Sequence, residues 1–223
     1  MEHRIIDLHV HSTESDGTLT PTEIVSAAKA AGLSAFALTD HDTAAGVSKA
    51  APAAAACGIE LIPGIELSTE YELPTRAGGG KEVHIVGLYI DPEPPLLIEK
   101  TNEFRRCRDA RNEKIVAALQ REGFSITTKA LLAANPDSVI TRANIARFLY
   151  DSHQIRSVSE AFEKYIGDGC KCYVGRFKVS PMEAVELIHA AGGIAVLAHP
   201  LLYHMSQTTL QHLIDELKEV HLD

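Results

Sequence analysis

Seven residues of this 223-residue chain have the side chains and the spacing to hold divalent metal ions: His9, His11, Asp16, His41, Glu66, His84 and His199. His9 and His11 stand two apart at the end of an apolar run, residues 4–10. On a strand, a period of two puts both imidazoles on one face. Asp16 follows in the loop Ser15-Asp16-Gly17, from which a carboxylate can swing back. A second apolar run ends in Asp40-His41-Asp42, and a third delivers Glu66. His84 sits near the start of a fourth, and a fifth ends in His199-Pro200. Neutral imidazole with carboxylate is a donor set for Zn, Mn or Fe(II) rather than Ca. Seven donors exceed the need of one ion, so two or three ions are implied, with Glu66 able to bridge. Paired ions about 3.5–4 Å apart can generate hydroxide and clamp a phosphoryl group. The other histidines (His3, His153, His189, His204, His212 and His221) lack this setting and read as packed or solvent-facing.

The elements that must position these groups follow from apolar runs and helix signals. Strands are predicted at residues 4–10, 34–39, 60–69, 83–90 and 194–198. A helix start is written in Thr20-Pro21-Thr22-Glu23, with Thr20 as N-cap and Glu23 three residues on. An Ala-rich helix covers 47–57 and stops at Gly58. Ala77-Gly78-Gly79-Gly80 precedes a strand and reads as a turn, not as a phosphate loop. The β-α-β-α-β rhythm predicts an α/β fold with a parallel sheet and crossover helices. Strand ends that repeatedly carry His or a carboxylate favour a barrel, where such ends meet at one rim. Residues 95–176 instead predict helices at 97–122, 129–134, 143–150 and 158–166. The organisation expected is an N-terminal barrel part (1–94), an inserted helical subdomain (95–176) and a C-terminal barrel part (177–223).

Composition removes other classes. Hydrophobic residues make up 45% and charged ones 23%, enough for a core and too ordered a mixture for wholesale disorder. The net charge of −9 argues against a general nucleic-acid coat. That charge is uneven: residues 99–176 hold 14 Lys/Arg and 10 Asp/Glu, against 7 and 20 elsewhere. A basic segment in an acidic scaffold suits an anion-handling lid. Four cysteines without paired spacing make no disulfide scaffold, and Cys170-Lys171-Cys172 is too short for a zinc knuckle. The uncharged run 187–214 contains Gly192-Gly193, Pro200 and four His, so no membrane span is expected and the default location is cytoplasmic.

Asp7-Leu8-His9-Val10-His11-Ser12, Ser15-Asp16-Gly17, Thr39-Asp40-His41-Asp42-Thr43, Pro63-Gly64-Ile65-Glu66 and Ala198-His199-Pro200 resemble, in order, the motifs of the PHP (polymerase and histidinol phosphatase) superfamily. His84-Ile85-Val86-Gly87-Leu88-Tyr89-Ile90-Asp91, Thr141-Arg142-Ala143-Asn144 and Tyr165-Ile166-Gly167 are similar to its nucleotide branch, which holds nucleoside 3′,5′-bisphosphate phosphatases and enzymes that trim 5′-phosphorylated RNA. The resemblance implies a distorted (β/α)7 barrel with a trinuclear site. His9, His11 and Glu66 would serve one ion, Glu66 and His84 a second, and Asp16, His41 and His199 a third. Asp42 would support the ligands or carry a proton. Arg142 would fork onto a substrate phosphate and aid catalysis, with Asn144 beside it. The implied activity is metal-dependent hydrolysis of nucleotide phosphate esters through a metal-bridging hydroxide. The partner is a nucleotide or a short 5′-phosphorylated RNA.

The superfamily also has a late Ser-Asp-x-His type motif that supplies an Asp and a His. This chain ends at Asp223 without it; His221 and Asp223 come in the wrong order. The expectation is a truncated barrel that lacks its closing elements, exposes a sheet edge and is weakly active. Three rivals stand beside the main reading. A histidinol-phosphate-type phosphatase would share the metal site. An amidohydrolase-type C–N hydrolase would also use His-x-His. A non-catalytic metal-binding or nucleotide-sensing module would follow from the missing ligands.

Overall fold

The computed structural model describes residues 4–73, 80–136, 138–175 and 179–223. The turn expected at 77–80 lies outside the described residues except for Gly80, as does His3. The chain divides into two compact units, Met1–Asn102 with Lys178–Asp223, and Glu103–Phe177.

The first unit is built on five strands: β1 (Ile5–Val10), β2 (Leu33–Leu38), β3 (Glu60–Glu72), β4 (Gly80–Leu88) and β5 (Ile194–Leu197). They lie side by side in the order β1-β2-β3-β4-β5. Helices α1 (Pro21–Ala30) and α2 (Ala45–Cys57) connect β1 to β2 and β2 to β3. Thr20 and Glu23 close a capping box at the start of α1, and Gly58 ends α2 in the left-handed conformation that a residue without Cβ adopts readily. Val10, Phe36 and Leu38 on one face of the sheet pack with Ile24, Val25 and Ala50 of these helices. The opposite face carries a smaller core of Ala35, Ala37, Ile62, Val86, Leu88 and Ala198.

β1, β2 and β3 are parallel, but β4 runs antiparallel to β3, and β5 antiparallel to β4. This corrects the expectation of an all-parallel sheet. Only residues 73–79 separate β3 from β4, too few for a crossover, which needs a dozen or more. The two therefore form a hairpin, and β3 is one long strand with two partners. Its first residues pair with β2, as in Leu38↔Pro63; from Gly64↔Leu88 onward it pairs with β4. Gly64 stands at the handover, where a Cβ would lie 2.8 Å from Thr39 Cγ2 and 2.9 Å from the Gly87 carbonyl. Glu66 thus lies within a strand, not at its end, and His84 in the middle of one.

The sheet curls strongly. In a flat sheet β1 and β5 would be about 19 Å apart, at four strand spacings. Yet the rings of His9, on β1, and His199, just after β5, stack with centroids 5.6 Å apart. A curled half-barrel brings both edges toward one centre. Ile5 and Ile6 on β1 and Ile194 and Val196 on β5 remain exposed along those edges. Helix α7 (Pro181–Ala190), opened by a Ser180–Glu183 capping box, packs on β3, β4 and β5. A 3₁₀ turn (Pro200–Tyr203) and helix α8 (Gln207–Glu219) follow β5. No helix among the described residues is long and apolar enough to cross a membrane.

The second unit is helical. The unit boundary falls within α3 (Pro95–Arg121), which is followed by α4 (Thr128–Ala134), α5 (Arg142–Asp151) and α6 (Val158–Ala161). A π-helical turn at Phe162–Ile166 comes next. Its core joins Ile115, Leu119, Leu131, Ile145, Leu149 and Ile166.

Candidate metal centre

Glu66 is the hub of the site. Its side chain is 1% exposed, and five imidazoles surround it. Oε2 lies 3.2 Å from His9 Nε2, 3.1 Å from His11 Nε2 and 3.1 Å from His41 Nδ1. Oε1 lies 3.1 Å from His84 Nδ1 and 3.0 Å from His199 Nε2. Asp16 is a second carboxylate, with Oδ1 3.4 Å from His11 Nδ1 and Oδ2 3.5 Å from His41 Nε2.

Backbone pairing explains how distant residues meet. His9 and His11 share a face of β1 and its extension. Beyond β2, His41 pairs with Glu66 in a parallel bridge, with Glu66 N donating to Asp40 O at 3.1 Å and Asp42 N to Glu66 O at 2.9 Å. Ser68 faces His84 across the β3–β4 ladder, two pairs beyond Glu66↔Val86. His199, just after β5, has φ +28°, and Asp42 has φ +53°. Such values are uncommon for residues with a side chain and mark positions that the surroundings hold in place.

Three sets of donor atoms lie within 4.8 Å of one another: His9, Glu66 and His199; His11, Asp16 and His41; and His41, Glu66 and His84. All seven candidate ligands fall into these sets. His11 stands with Asp16 and His41 while also lying 3.1 Å from Glu66 Oε2, and His199 stands with His9 and Glu66, where the motifs implied Asp16 and His41. The cause is the curl of the sheet, which lays β5 beside β1.

The donor set fits divalent ions. A carboxylate offers about four acceptor sites, and each neutral imidazole carries one proton and one lone pair. Five rings aimed at one buried carboxylate are too many to satisfy as simple hydrogen bonds. His199 Nδ1 is buried with no hydrogen-bond partner among the described residues. The electrostatics agree. Burial alone would raise the Glu66 carboxyl, but the imidazoles, His41 foremost, hold it well below the usual carboxylate range. Burial pushes His41 down to about 3. Burial would lower His84 as well, yet the carboxylates of Glu66 and Glu82 outweigh it and push the ring up to about 9.

The remaining candidates have other surroundings. Asp42 is buried, and its Oδ1 accepts the Ser68 N–H at 2.9 Å. Ser68 Oγ in turn lies 3.3 Å from His41 Nδ1. In the second unit, Arg142 is the first residue of α5. Its Nη1 donates to the Ile166 carbonyl at 3.3 Å, and its guanidinium lies 5.4 Å from the Tyr173 ring centroid. Asn144 closes the capping box of α5: its Oδ1 accepts from Thr141 N at 2.7 Å and Thr141 Oγ1 at 2.8 Å, and its Nδ2 donates to Asn135 at 3.0 Å. His189 pairs with Asp223 at 3.0 Å, outside the three sets. The four cysteines are free.

Sequence reasoning passed over three supporting groups. Asp40 accepts from Ser12 N, Ser12 Oγ and Ser15 Oγ, each at 2.7 Å. Tyr203 bonds to the backbone at both His84 and Ala198. Glu82 Oε1 stands 3.1 Å from His84 Nε2. Only Glu82 left a signal: it lies two residues before His84, on the same face of a strand.

The PHP domain profile matches residues 7–220. A 5′-3′ exoribonuclease of Haemophilus influenzae is 40% identical over 212 residues, 95% of this chain and 74% of the relative. A 3′,5′-nucleoside bisphosphate phosphatase of Chromobacterium violaceum is 39% identical over 94% of this chain and 71% of the relative. A solved structure from Chromobacterium violaceum, titled an amidohydrolase with bound sulfate and no metal, superposes with a TM-score of 0.89 at 37% identity, over 98% of this chain and 75% of the other.

Proposed function

The chain belongs to the PHP domain family, and from that premise we propose that it is a metal-dependent phosphoesterase hydrolysing phosphate esters of nucleotides. The substrate classes in this reading are nucleoside 3′,5′-bisphosphates and 5′-phosphorylated oligonucleotides; one relative is named a 3′,5′-nucleoside bisphosphate phosphatase and another a 5′-3′ exoribonuclease. The observation that carries the reading is the buried Glu66 carboxylate inside a shell of five imidazoles. Two or three divalent ions of Mn, Zn or Fe, when bound, supply an activated water and neutralise charge on the phosphoryl oxygens.

The protein's own groups have distinct tasks. Glu66 serves two donor sets at once through its two oxygens. His9 and His199 flank one side of it, His41 and His84 another, and Asp16 completes the third set with His11 and His41. Asp42 orients the ligands: it holds Ser68, which touches His41. Arg142 binds a substrate phosphate through charge-assisted hydrogen bonds. Asn144 fixes the start of the helix that carries Arg142. We read the five strands as part of a distorted (β/α)7 barrel, with residues 95–176 as an inserted helical subdomain. A cytoplasmic location suits a nucleotide substrate.

A phosphate-release screen after chelation and stepwise return of Mn, Zn or Fe tests this. Only with metal present should nucleoside bisphosphates release inorganic phosphate and 5′-phosphorylated RNA release nucleoside monophosphates, and either should react faster than histidinol phosphate does. Metal bound without hydrolysis of any ester would favour a non-catalytic nucleotide sensor. Preference for histidinol phosphate would move the assignment to that branch.

A further inference from the structure

We infer that Glu82 is a positioning residue, whose carboxylate accepts a hydrogen bond from the Nε2–H of His84 and so turns the Nδ1 lone pair toward Glu66. The two nitrogens of His84 face two different carboxylates. Nδ1 lies 3.1 Å from Glu66 Oε1, and Nε2 lies 3.1 Å from Glu82 Oε1. A neutral imidazole has one N–H and one lone pair, so only one of these contacts can be a hydrogen bond from a neutral ring. The Glu66 side is where His41 and His84 converge as a donor set. A cation held there needs the Nδ1 lone pair, which leaves the proton on Nε2, against Glu82. A ligating imidazole that donates its other N–H to a carboxylate is held in tautomer and orientation and made more basic.

The strand geometry fixes this arrangement. Glu82 and His84 are two apart on β4 and share a face. On the facing strand, Ser68 lies opposite His84 and Glu70 opposite Glu82. Glu82 is thus a third carboxylate at the centre, beside Glu66 and Asp16, in contact with a ligand and in none of the donor sets. The inference rests on the proposed metal-dependent reading, and goes beyond it by assigning a role to Glu82.

The test compares wild type with Glu82→Ala, Glu82→Gln and Glu70→Gln by chelator-competition titration of Mn and Zn, the Co(II) absorption spectrum and melting of the metal-free protein. Loss of such an outer partner costs roughly 10–100-fold in metal affinity. Glu82→Ala should show that loss and an altered Co(II) spectrum. Glu82→Gln, whose amide oxygen still accepts the proton, should recover most of the affinity. Glu70→Gln removes the same charge from the opposite strand position and should leave the Co(II) spectrum unchanged. In the zinc-loaded wild type, ¹⁵N NMR should place the His84 proton on Nε2. Wild-type affinity and spectrum in Glu82→Ala, or a loss in Glu70→Gln as large as that in Glu82→Ala, would overturn the assignment. Should wild type itself bind no metal, the proposed function fails instead, so the two failures are separable.

Discussion

Tyr203 reaches across 119 positions of sequence to His84: its hydroxyl accepts the His84 backbone N–H at 2.9 Å. The same oxygen donates to the Ala198 carbonyl at 2.6 Å, one residue before His199. Tyr203 is 5% exposed, so its partners have no water to replace it. One phenol therefore ties the middle of β4 to the turn beyond β5 and sets two imidazoles of the centre against each other. Tyr203→Phe keeps the ring but leaves a buried N–H and a carbonyl without their partner, at a cost of about 1–3 kcal/mol. The expected outcome is a lower denaturation midpoint together with weaker metal uptake, read by denaturant titration and chelator competition. A variant that melts lower but binds metal as wild type does would reduce Tyr203 to a packing role.

Asp40 does the corresponding work on the other side. Three donors from Ser12 and Ser15 converge on it, and so the loop that carries Asp16 is fastened to the end of β2, next to His41. Burial raises the Asp40 carboxyl, and the hydrogen bonds from Ser12 and Ser15 only partly offset this. Asp40→Ala should release the loop and disperse His11, Asp16 and His41, while His9, Glu66 and His199 keep their places. Elemental analysis should then find less metal per chain, with the remainder still bound. Gly46→Ala should act in the same direction more mildly, because its Cβ would sit 2.8 Å from Asp40 Oδ2. Unchanged metal content in Asp40→Ala would show that Asp16 contributes no ligand.

Much of the centre is legible in the chain because its residues obey local rules. His9 and His11 show through the period of a strand, and His41 and His199 through their position at the ends of apolar runs. The capping box at Thr20 marks a helix start that the structure reproduces. What hides is non-local. Glu66 was legible as a carboxylate able to bridge two ions, but nothing in the spacing showed that five imidazoles would surround it. The antiparallel turn of β4 depends on the short connection at 73–79, and the β-α-β rhythm upstream obscures it. The grouping of His199 with His9 follows from the curl of the sheet, a property of five strands together. Asp40 acts through Ser12 and Ser15, 28 and 25 residues away, and Tyr203 through the His84 backbone, 119 residues away, which no spacing rule encodes.

Proton uptake sets the pH behaviour. The folded protein holds His84 up at about 9, against 6.5 for a free imidazole. Below pH 6.5 folded and unfolded chains both carry this proton, and the stabilisation from the carboxylate contacts is fully present. As pH rises through 9 the folded protein loses the proton and that stabilisation fades. The metal-free protein should therefore melt at progressively lower temperature from pH 6.5 to 9.5. Metal uptake should show the opposite trend, because the ion must displace this proton: affinity should rise with pH and level off near 9. Melting curves and chelator competition over the same buffers read both slopes. Parallel trends would mean that His84 gives up no proton on binding.

Glu66→Gln is the sharpest test, because it preserves the size of the side chain and removes only its charge. Glutamine presents one oxygen and one amide nitrogen where five imidazole nitrogens now meet two carboxylate oxygens. The two donor sets that share Glu66 lose their common anion, while His11, Asp16 and His41 retain Asp16. Loss of a ligand should exceed the roughly 10–100-fold penalty typical of an outer partner, so turnover should fall by more than about 100-fold. Metal content should drop, and far-UV circular dichroism should show the fold retained. His84 also loses the partner that helps hold its proton, so the fall in melting temperature between pH 6.5 and 9.5 should flatten. Phosphate release within about tenfold of wild type would place the reacting centre elsewhere in the molecule.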